Sequence, residues 1–294
     1  MSFAGLLVFV FPLLVVAVGA VALTAATARP DSTLTSEVAS ARRHAVVTSA
    51  LAGVAMSVAV VVPVLTAMVS KSGLAPRVQA CLPLTATAVA LVVLLLGELT
   101  WPRPRGAIRT AVLHDRSVAT VLHRRWTAAA VAATATTAVL LVVGGLLGAA
   151  DGRSFSRSTP VTSESAGPFP GWTYTAPQLA VLAVCAVLVA LVVRAALHRS
   201  TVVSAAVDMD RVLRQASTAR ALRALVTGSL LTLGPDLAFG GLAAHNVVGD
   251  GLLGPLTWIV VALGLACTAS ALVACVLPVA RLTAPAVTAS PLSA

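Results

Sequence analysis

Residues 82–109 read LPLTATAVALVVLLLGELTWPRPRGAIR, and the change of character within them decides the fold. Leu82 to Gly97 carries no charge. Glu98 ends the run, Trp101 follows, and Pro102, Arg103, Pro104, Arg105 and Arg109 close the stretch. A helix of about 20 apolar residues crosses a hydrocarbon core of about 30 Å. An indole followed by arginines is what such a helix shows where it enters the headgroup layer. Pro102 and Pro104 stop the helix, because proline has no N–H and forces the preceding residue out of the α region. The stretch therefore predicts the end of a membrane helix. It is also a candidate site at that boundary, made of Glu98, Trp101, Arg103 and Arg105. An Arg-Pro-Arg corner can hold a phosphate or a partner's carboxylate through charge-assisted hydrogen bonds.

The rest of the chain repeats this alternation. Of 294 residues, 58% are hydrophobic and 10% are charged, with a mean hydropathy of +0.97. Soluble domains carry roughly a quarter charged residues. Seven runs are long enough to span, near 4–25, 45–69, 79–98, 127–149, 177–197, 222–244 and 256–279. In lipid the backbone polar groups of a run must be satisfied within it, so each run predicts an α-helix. None shows the ten-residue alternation of a membrane β-barrel. The expectation is an all-α, polytopic bundle of seven transmembrane helices, forming a single transmembrane domain.

Arginine placement sets the orientation. Sixteen of the twenty Lys and Arg residues fall in segments on one side of this map, and Lys71, Arg77, Arg153 and Arg157 fall on the other. The positive-inside bias then places the N-terminus outside and the C-terminus in the cytoplasm of a plasma-membrane protein. Trp101 and Trp126 stand at inner boundaries of the map, and Trp172 and Trp258 at outer ones. Indole rings prefer the headgroup layer, so they agree with it. Ala26-Thr27-Ala28 could mimic a cleavage site, but no basic segment precedes the first run, and that run exceeds the length of a signal peptide's apolar core.

Between the runs, residues 151–176 form the longest outer segment, rich in Ser, Thr, Pro and Gly and expected to be irregular. Residues 203–222 carry Ala206, Met209, Val212, Leu213, Ala216 and Ala219 at helical spacing, with Asp210, Arg211 and Arg214 between them. That pattern predicts an amphipathic segment on the inner surface. A faint repeat joins 99–150 to 194–258: Asp115-Arg116 precedes Arg125 as Asp210-Arg211 precedes Arg220, and the helix after each leads to an Asp-Gly pair. Paired units of this kind occur in transporters.

Asp236, in TLGPDLAFGG, is the second candidate site. Counted from residue 222 at about 1.5 Å per residue, it lies roughly 21 Å into its helix, past the midplane. An acid there costs several kcal/mol unless it is protonated, hydrated or paired. Pro235 interrupts the helix beside it, an arrangement that resembles the broken-helix sites of secondary transporters. The alternative is local: a protonated Asp236 donating to a carbonyl freed by Pro235 or to a threonine nearby.

Other chemistries find no support. Cys81, Cys185, Cys267 and Cys275 stand in or beside apolar runs without C-x-x-C spacing, which implies neither disulfide nor metal. No histidine sits mid-run for haem, and the one lysine, Lys71, is in an outer segment, away from any retinal Schiff base. There is no H-E-x-x-H and no P-loop, and Gly249-Asp250 is preceded by Val247-Val248 rather than completing an intramembrane aspartyl-protease pattern. The net charge of +10 sits in short arginine segments beside apolar runs, which points to the bilayer and its anionic headgroups rather than to nucleic acid. No cofactor and no catalytic set is expected. Two functions follow: a non-enzymatic membrane component whose basic cytoplasmic face docks a cytosolic or membrane protein partner or anionic lipid, or a secondary transporter of a small solute or proton working through Asp236 and Pro235.

The segments GELTWPRP at 97–104 and GPFPGWTY at 167–174, with the Ala/Val/Arg-rich composition, resemble multi-pass integral membrane proteins of high-GC bacteria. That family is uncharacterised. The resemblance implies the helix layout and supplies no activity.

Overall fold

Six long helices account for most of the computed structural model, which describes residues 36–70, 76–102, 118–158, 160, 162–200, 207–249 and 251–276. They are α1 (Ser36–Val69), α2 (Pro76–Leu99), α3 (Arg124–Leu147), α4 (Trp172–His198), α5 (Val207–Val248) and α6 (Gly254–Val276). A single turn, Val118–Val121, precedes α3. Each long helix is apolar and long enough to cross a membrane. The run at 4–25 lies outside the described residues, as do Arg103, Arg105 and Arg109.

The helices run up and down. Contacts between Arg199 and Glu98, and between Arg220 and Ala45, bring the start of α1, the ends of α2 and α4 and the first half of α5 to one end of the bundle. We call it the Glu98 end. At the opposite end α3 leads into a β-hairpin, and α5 leads into α6. The centre is a four-helix core of α2, α3, α4 and α5. Leu84 and Leu91, Ala130, Leu182 and Val192, and Leu222 and Val226 meet there. Outside it, α1 packs chiefly on α2, and α6 chiefly on α5. Both outer helices expose rows of large apolar side chains, such as Leu51, Val54, Val58 and Leu65 on α1 and Ile259 and Leu263 on α6. Water would not tolerate a face of that extent, but a bilayer requires one.

Lipid tails are as apolar as leucine, so hydrophobic burial does little to join these helices, and close packing must do it. Gly234 of α5 and Gly264 of α6 supply that packing. A Cβ on Gly264 would stand 2.5 Å from the Gly234 carbonyl oxygen and 2.7 Å from the Ala238 nitrogen. Only glycine at both positions lets the two backbones approach this closely.

The structure departs from the sequence-based expectations in three places. The amphipathic segment expected on the inner surface at 203–222 is, from Val207, the first half of α5 itself. It is not laid on a surface: Leu213, Arg214, Ser217, Thr218 and Ala219 are buried against other helices. With 42 residues, α5 is about 63 Å long at 1.5 Å per residue, twice the hydrocarbon thickness. The outer segment 151–176 is not irregular throughout. Phe155–Ser158 and Ser163–Ala166 (β1 and β2) pair antiparallel, with Phe155 opposite Ala166 and Ser158 opposite Ser163. Asp151 starts this structure: its Oδ1 accepts the N–H groups of Arg153 at 2.8 Å and Ser154 at 3.0 Å, and Gly152 takes the positive φ of 63° that the turn needs. Those bonds, the Arg153 N–H foremost, hold the Asp151 carboxyl below its ordinary 3.8. Lastly, α1 starts at Ser36 rather than near 45, which places His44 within a helix.

Candidate functional site

Two buried polar clusters stand in the bundle, one at the Glu98 end and one in the half nearer the hairpin. The first gathers side chains far apart in sequence. Glu98 is in the last turn of α2, and Arg199 follows α4 directly. Arg199 Nη1 donates to Glu98 Oε2 at 2.9 Å and to Ser217 Oγ of α5 at 3.4 Å. The two side chains of the ion pair are only 2% and 6% exposed, so solvent screens them little. The guanidinium also lies over Trp101, with Cζ 3.7 Å from the ring centroid, a cation–π contact. Trp101 meets His44 edge to face, centroids 5.5 Å apart, and His44 Nε2 is 2.9 Å from the Gly97 carbonyl oxygen. Trp101 is thus a buried packing residue here, covered by protein on the side where headgroups were expected.

A second ion pair supports the first. Arg214 Nε donates to Asp210 Oδ2 at 2.6 Å, one helical turn away. Its Nη1 donates to the carbonyls of Ala196 at 2.5 Å and Leu197 at 2.7 Å, and its Nη2 to that of Arg199 at 2.9 Å. The last carbonyls of a helix have no partner within it. Arg214 supplies those partners for α4. Arg220, one face further along α5, donates to the Ala45 carbonyl at 2.7 Å, to Ser49 Oγ and to Ser217 Oγ at 3.0 Å. Thr218 Oγ1 donates to the Val121 carbonyl at 2.8 Å. This half of α5 therefore binds α1, the turn before α3 and the end of α4 through polar side chains, and reaches the end of α2 only by way of Arg199. Burial draws the Arg199 guanidinium below its ordinary range, and the Glu98 and Asp210 carboxylates oppose the change. A cavity of about 10 Å³ lies among His44, Thr48, Glu98, Trp101, Ser217 and Arg220, with room for about one water.

The second cluster surrounds Asp236. The helix break expected at Pro235 is not seen: α5 is helical through Pro235, as α2 is through Pro83, and Pro177 stands in the second turn of α4. Gln178 of α4, fully buried, donates from Nε2 to the Ala80 carbonyl of α2 at 3.1 Å. Its amide also faces the Asp236 carboxyl group, and Cys81 lies nearby. Asp236 Oδ2, Gln178 Oε1 and Thr175 Oγ1 are buried and make no hydrogen bond. Asp236 does not line the cavity at the Glu98 end. The expected local solution, a bond from this acid to a carbonyl freed by Pro235 or to a threonine, is not what stands beside it: the neighbouring group is a glutamine amide on another helix.

Of the residues the sequence singled out, Glu98 and Trp101 come together, and Arg103 and Arg105 lie outside the described residues. Arg199, Asp210, Arg214 and Arg220 complete the first cluster with Ser217; the four charged residues were read only as boundary or surface charges, and Ser217 carried no signal. Gln178 completes the second; a lone amide in a long apolar run was its signal. Among the described residues, no group of three or more His, Cys, Asp or Glu side chains could hold a metal ion. No protein-family model, curated protein or solved structure matches this chain.

Proposed function

We propose that the chain is a non-enzymatic, multi-pass plasma-membrane protein whose Glu98 end faces the cytoplasm and docks anionic lipid headgroups. The observation that carries this reading is charge at the two ends. Among the side chains described at the Glu98 end, Arg43, Arg124, Arg125, Arg194 and Arg211 are exposed, and the acids Glu98 and Asp210 are buried in ion pairs. At the hairpin end Arg77, Arg153 and Arg157 are exposed together with Asp151 and Glu164. An excess of arginine beside one set of helix ends marks the cytoplasmic side and attracts anionic lipid, worth about 1 kcal/mol for each residue near the surface. Since both Ser36 and Val276 lie at the Glu98 end, a further crossing by the run at 4–25 gives seven helices with the N-terminus outside. The same layout is what kinship with the membrane proteins of high-GC bacteria would entail.

Two measurements test this. In a background free of native cysteines, Ser2→Cys and Ser165→Cys should react with a membrane-impermeant maleimide on intact cells, and Ser293→Cys only after permeabilisation. Lipids that co-purify with the protein should be enriched in anionic species over the bulk membrane, and neutralising Arg124 and Arg125, or Arg103 and Arg105, should reduce the enrichment. A protein that co-purifies instead, and is lost with the same substitutions, would replace lipid with a cytosolic partner.

A second reading is supported by the Asp236 cluster. Three buried oxygen atoms without partners, on two helices that each contain a proline beside them, suit a proton or small solute moving through the hairpin half. Reconstituted liposomes should then show a flux that Asp236→Asn abolishes. Absence of flux through the unaltered protein would sink this reading and leave the first untouched.

A further inference from the structure

Among the described residues, the buried network at the Glu98 end joins two carboxylates, Glu98 and Asp210, to three guanidinium groups, those of Arg199, Arg214 and Arg220. Hydrogen bonding shows which guanidinium has donors to spare. Arg214 bonds through Nε, Nη1 and Nη2, and so does Arg220. Arg199 bonds through Nη1 alone. Its Nε and Nη2 are buried and have no partner, and neither has Nε1 of the Trp101 ring beneath it. Nε and Nη2 are parallel donors along one edge of a guanidinium, the edge that takes two oxygens of a single phosphate or carboxylate. Asp210 Oδ1 is also without a partner and makes no bond to that edge. A buried charge-bearing donor left unmatched is costly, so the arrangement is incomplete as it stands.

We propose that the Nε–Nη2 edge of Arg199, with the indole N–H of Trp101, binds a phosphate group, and that this phosphate belongs to an anionic phospholipid of the leaflet at the Glu98 end. The level is right for a headgroup: α2 ends at Leu99 and α4 at His198, one residue either side of the pair. The charge is right as well, since an anion is the partner that these buried, unmatched donors call for. The neighbouring cavity of about 10 Å³ is too small for a phosphate, so binding includes a local opening between Trp101 and the end of α4. The inference rests on the reading of this end as a lipid-docking face and narrows it to one position.

Native mass spectrometry of the full chain in detergent tests it, with phosphatidylglycerol, phosphatidylcholine and inorganic phosphate as the probes. The protein should retain one phosphatidylglycerol in preference to phosphatidylcholine. Arg199→Lys keeps the charge opposite Glu98 and removes the two-pronged edge; it should weaken that single binding about tenfold. Trp101→Phe keeps the stacking and removes the indole N–H, and should weaken it by a few-fold. If Arg199→Lys does not fold, Trp101→Phe carries the test. Neutralising the exposed Arg153 and Arg157 at the hairpin end should leave this one lipid in place. Equal retention by the unaltered protein and both variants, with phosphatidylglycerol still preferred, overturns the Arg199 site and spares the docking face. No preference for phosphatidylglycerol overturns both. Binding of inorganic phosphate with the same sensitivity to Arg199→Lys, without lipid retention, overturns the lipid as the source.

Discussion

Two carboxylates meet three guanidinium groups at the Glu98 end, whereas in the hairpin half one carboxylate meets a glutamine amide. The two clusters share α5, and Arg220 and Asp236 stand about 24 Å apart along it at 1.5 Å per residue. The contrast follows from depth. Near the ends of α2 and α4 each buried carboxylate has a guanidinium beside it, and arginine can hold several acceptors at once. Deeper in hydrocarbon an isolated charge is expensive, and a neutral acid beside an amide is a cheaper arrangement. The adhesive differs too. Ion pairs stitch the Glu98 end together, while the hairpin half combines neutral ties, such as Gln178 to the Ala80 carbonyl, with close backbone contact at Gly234 and Gly264. Here the bundle uses charge for long-range ties at its edge and small residues for close approach within.

The comparison breaks most visibly if an ion-pair partner is removed. Glu98→Ala should cost about 3–5 kcal/mol, because it leaves the Arg199 guanidinium buried without its carboxylate. Thermal unfolding in detergent would register it. Replacing both by Met should recover most of the loss, since a well-packed apolar pair is often as stable as the buried ions it replaces. A double replacement as damaging as the single would show that Trp101 and Ser217, rather than the charge, depend on Arg199. Next in size is the close approach in the other half. Gly264→Leu should cost about 1–3 kcal/mol by forcing α6 from α5, read as a lower unfolding midpoint with the Glu98 cluster intact. Asp236→Asn sharpens the contrast from the opposite side. It should change stability by about 1 kcal/mol or less, because no cation is orphaned by the amide.

The smallest effect lies outside the membrane. With its folded-state carboxyl below the ordinary 3.8, Asp151 contributes to the hairpin's stability fully above that value. The contribution falls away as the pH drops through the lower folded value. The protection of the Arg153 and Ser154 amides, taken relative to an unstructured peptide at the same pH, should therefore fall in acid, and Asp151→Asn should remove that pH dependence of the protection.

What could be read from the residues alone follows the same division. Apolar runs announce helices because a bilayer admits almost nothing else, so the six described spans fall within a few residues of expectation at most ends. The hairpin escaped notice because Ser, Thr, Pro and Gly mark turns and do not specify strand pairing. The start of α5 misled for a subtler reason. Asp210, Arg211 and Arg214 look like a solvated face, yet Asp210 and Arg214 neutralise each other one turn apart and go inside. Glu98 and Arg199 are 101 positions apart, and no local pattern joins them. Asp236 was legible because an acid in an apolar run is conspicuous. Gln178, uncharged, was not.

Arg214 has one more consequence, for how the protein is made. The three carbonyls it satisfies belong to the exit of α4, yet Arg214 itself is synthesised afterwards, within α5. Until that later stretch has emerged from the ribosome, α4 ends in unmet acceptors at the bilayer edge. Its final seating must wait for the helix that follows, so α4 and α5 mature as a couple, and truncating the nascent polypeptide before residue 214 should leave α4 inserted but unsettled.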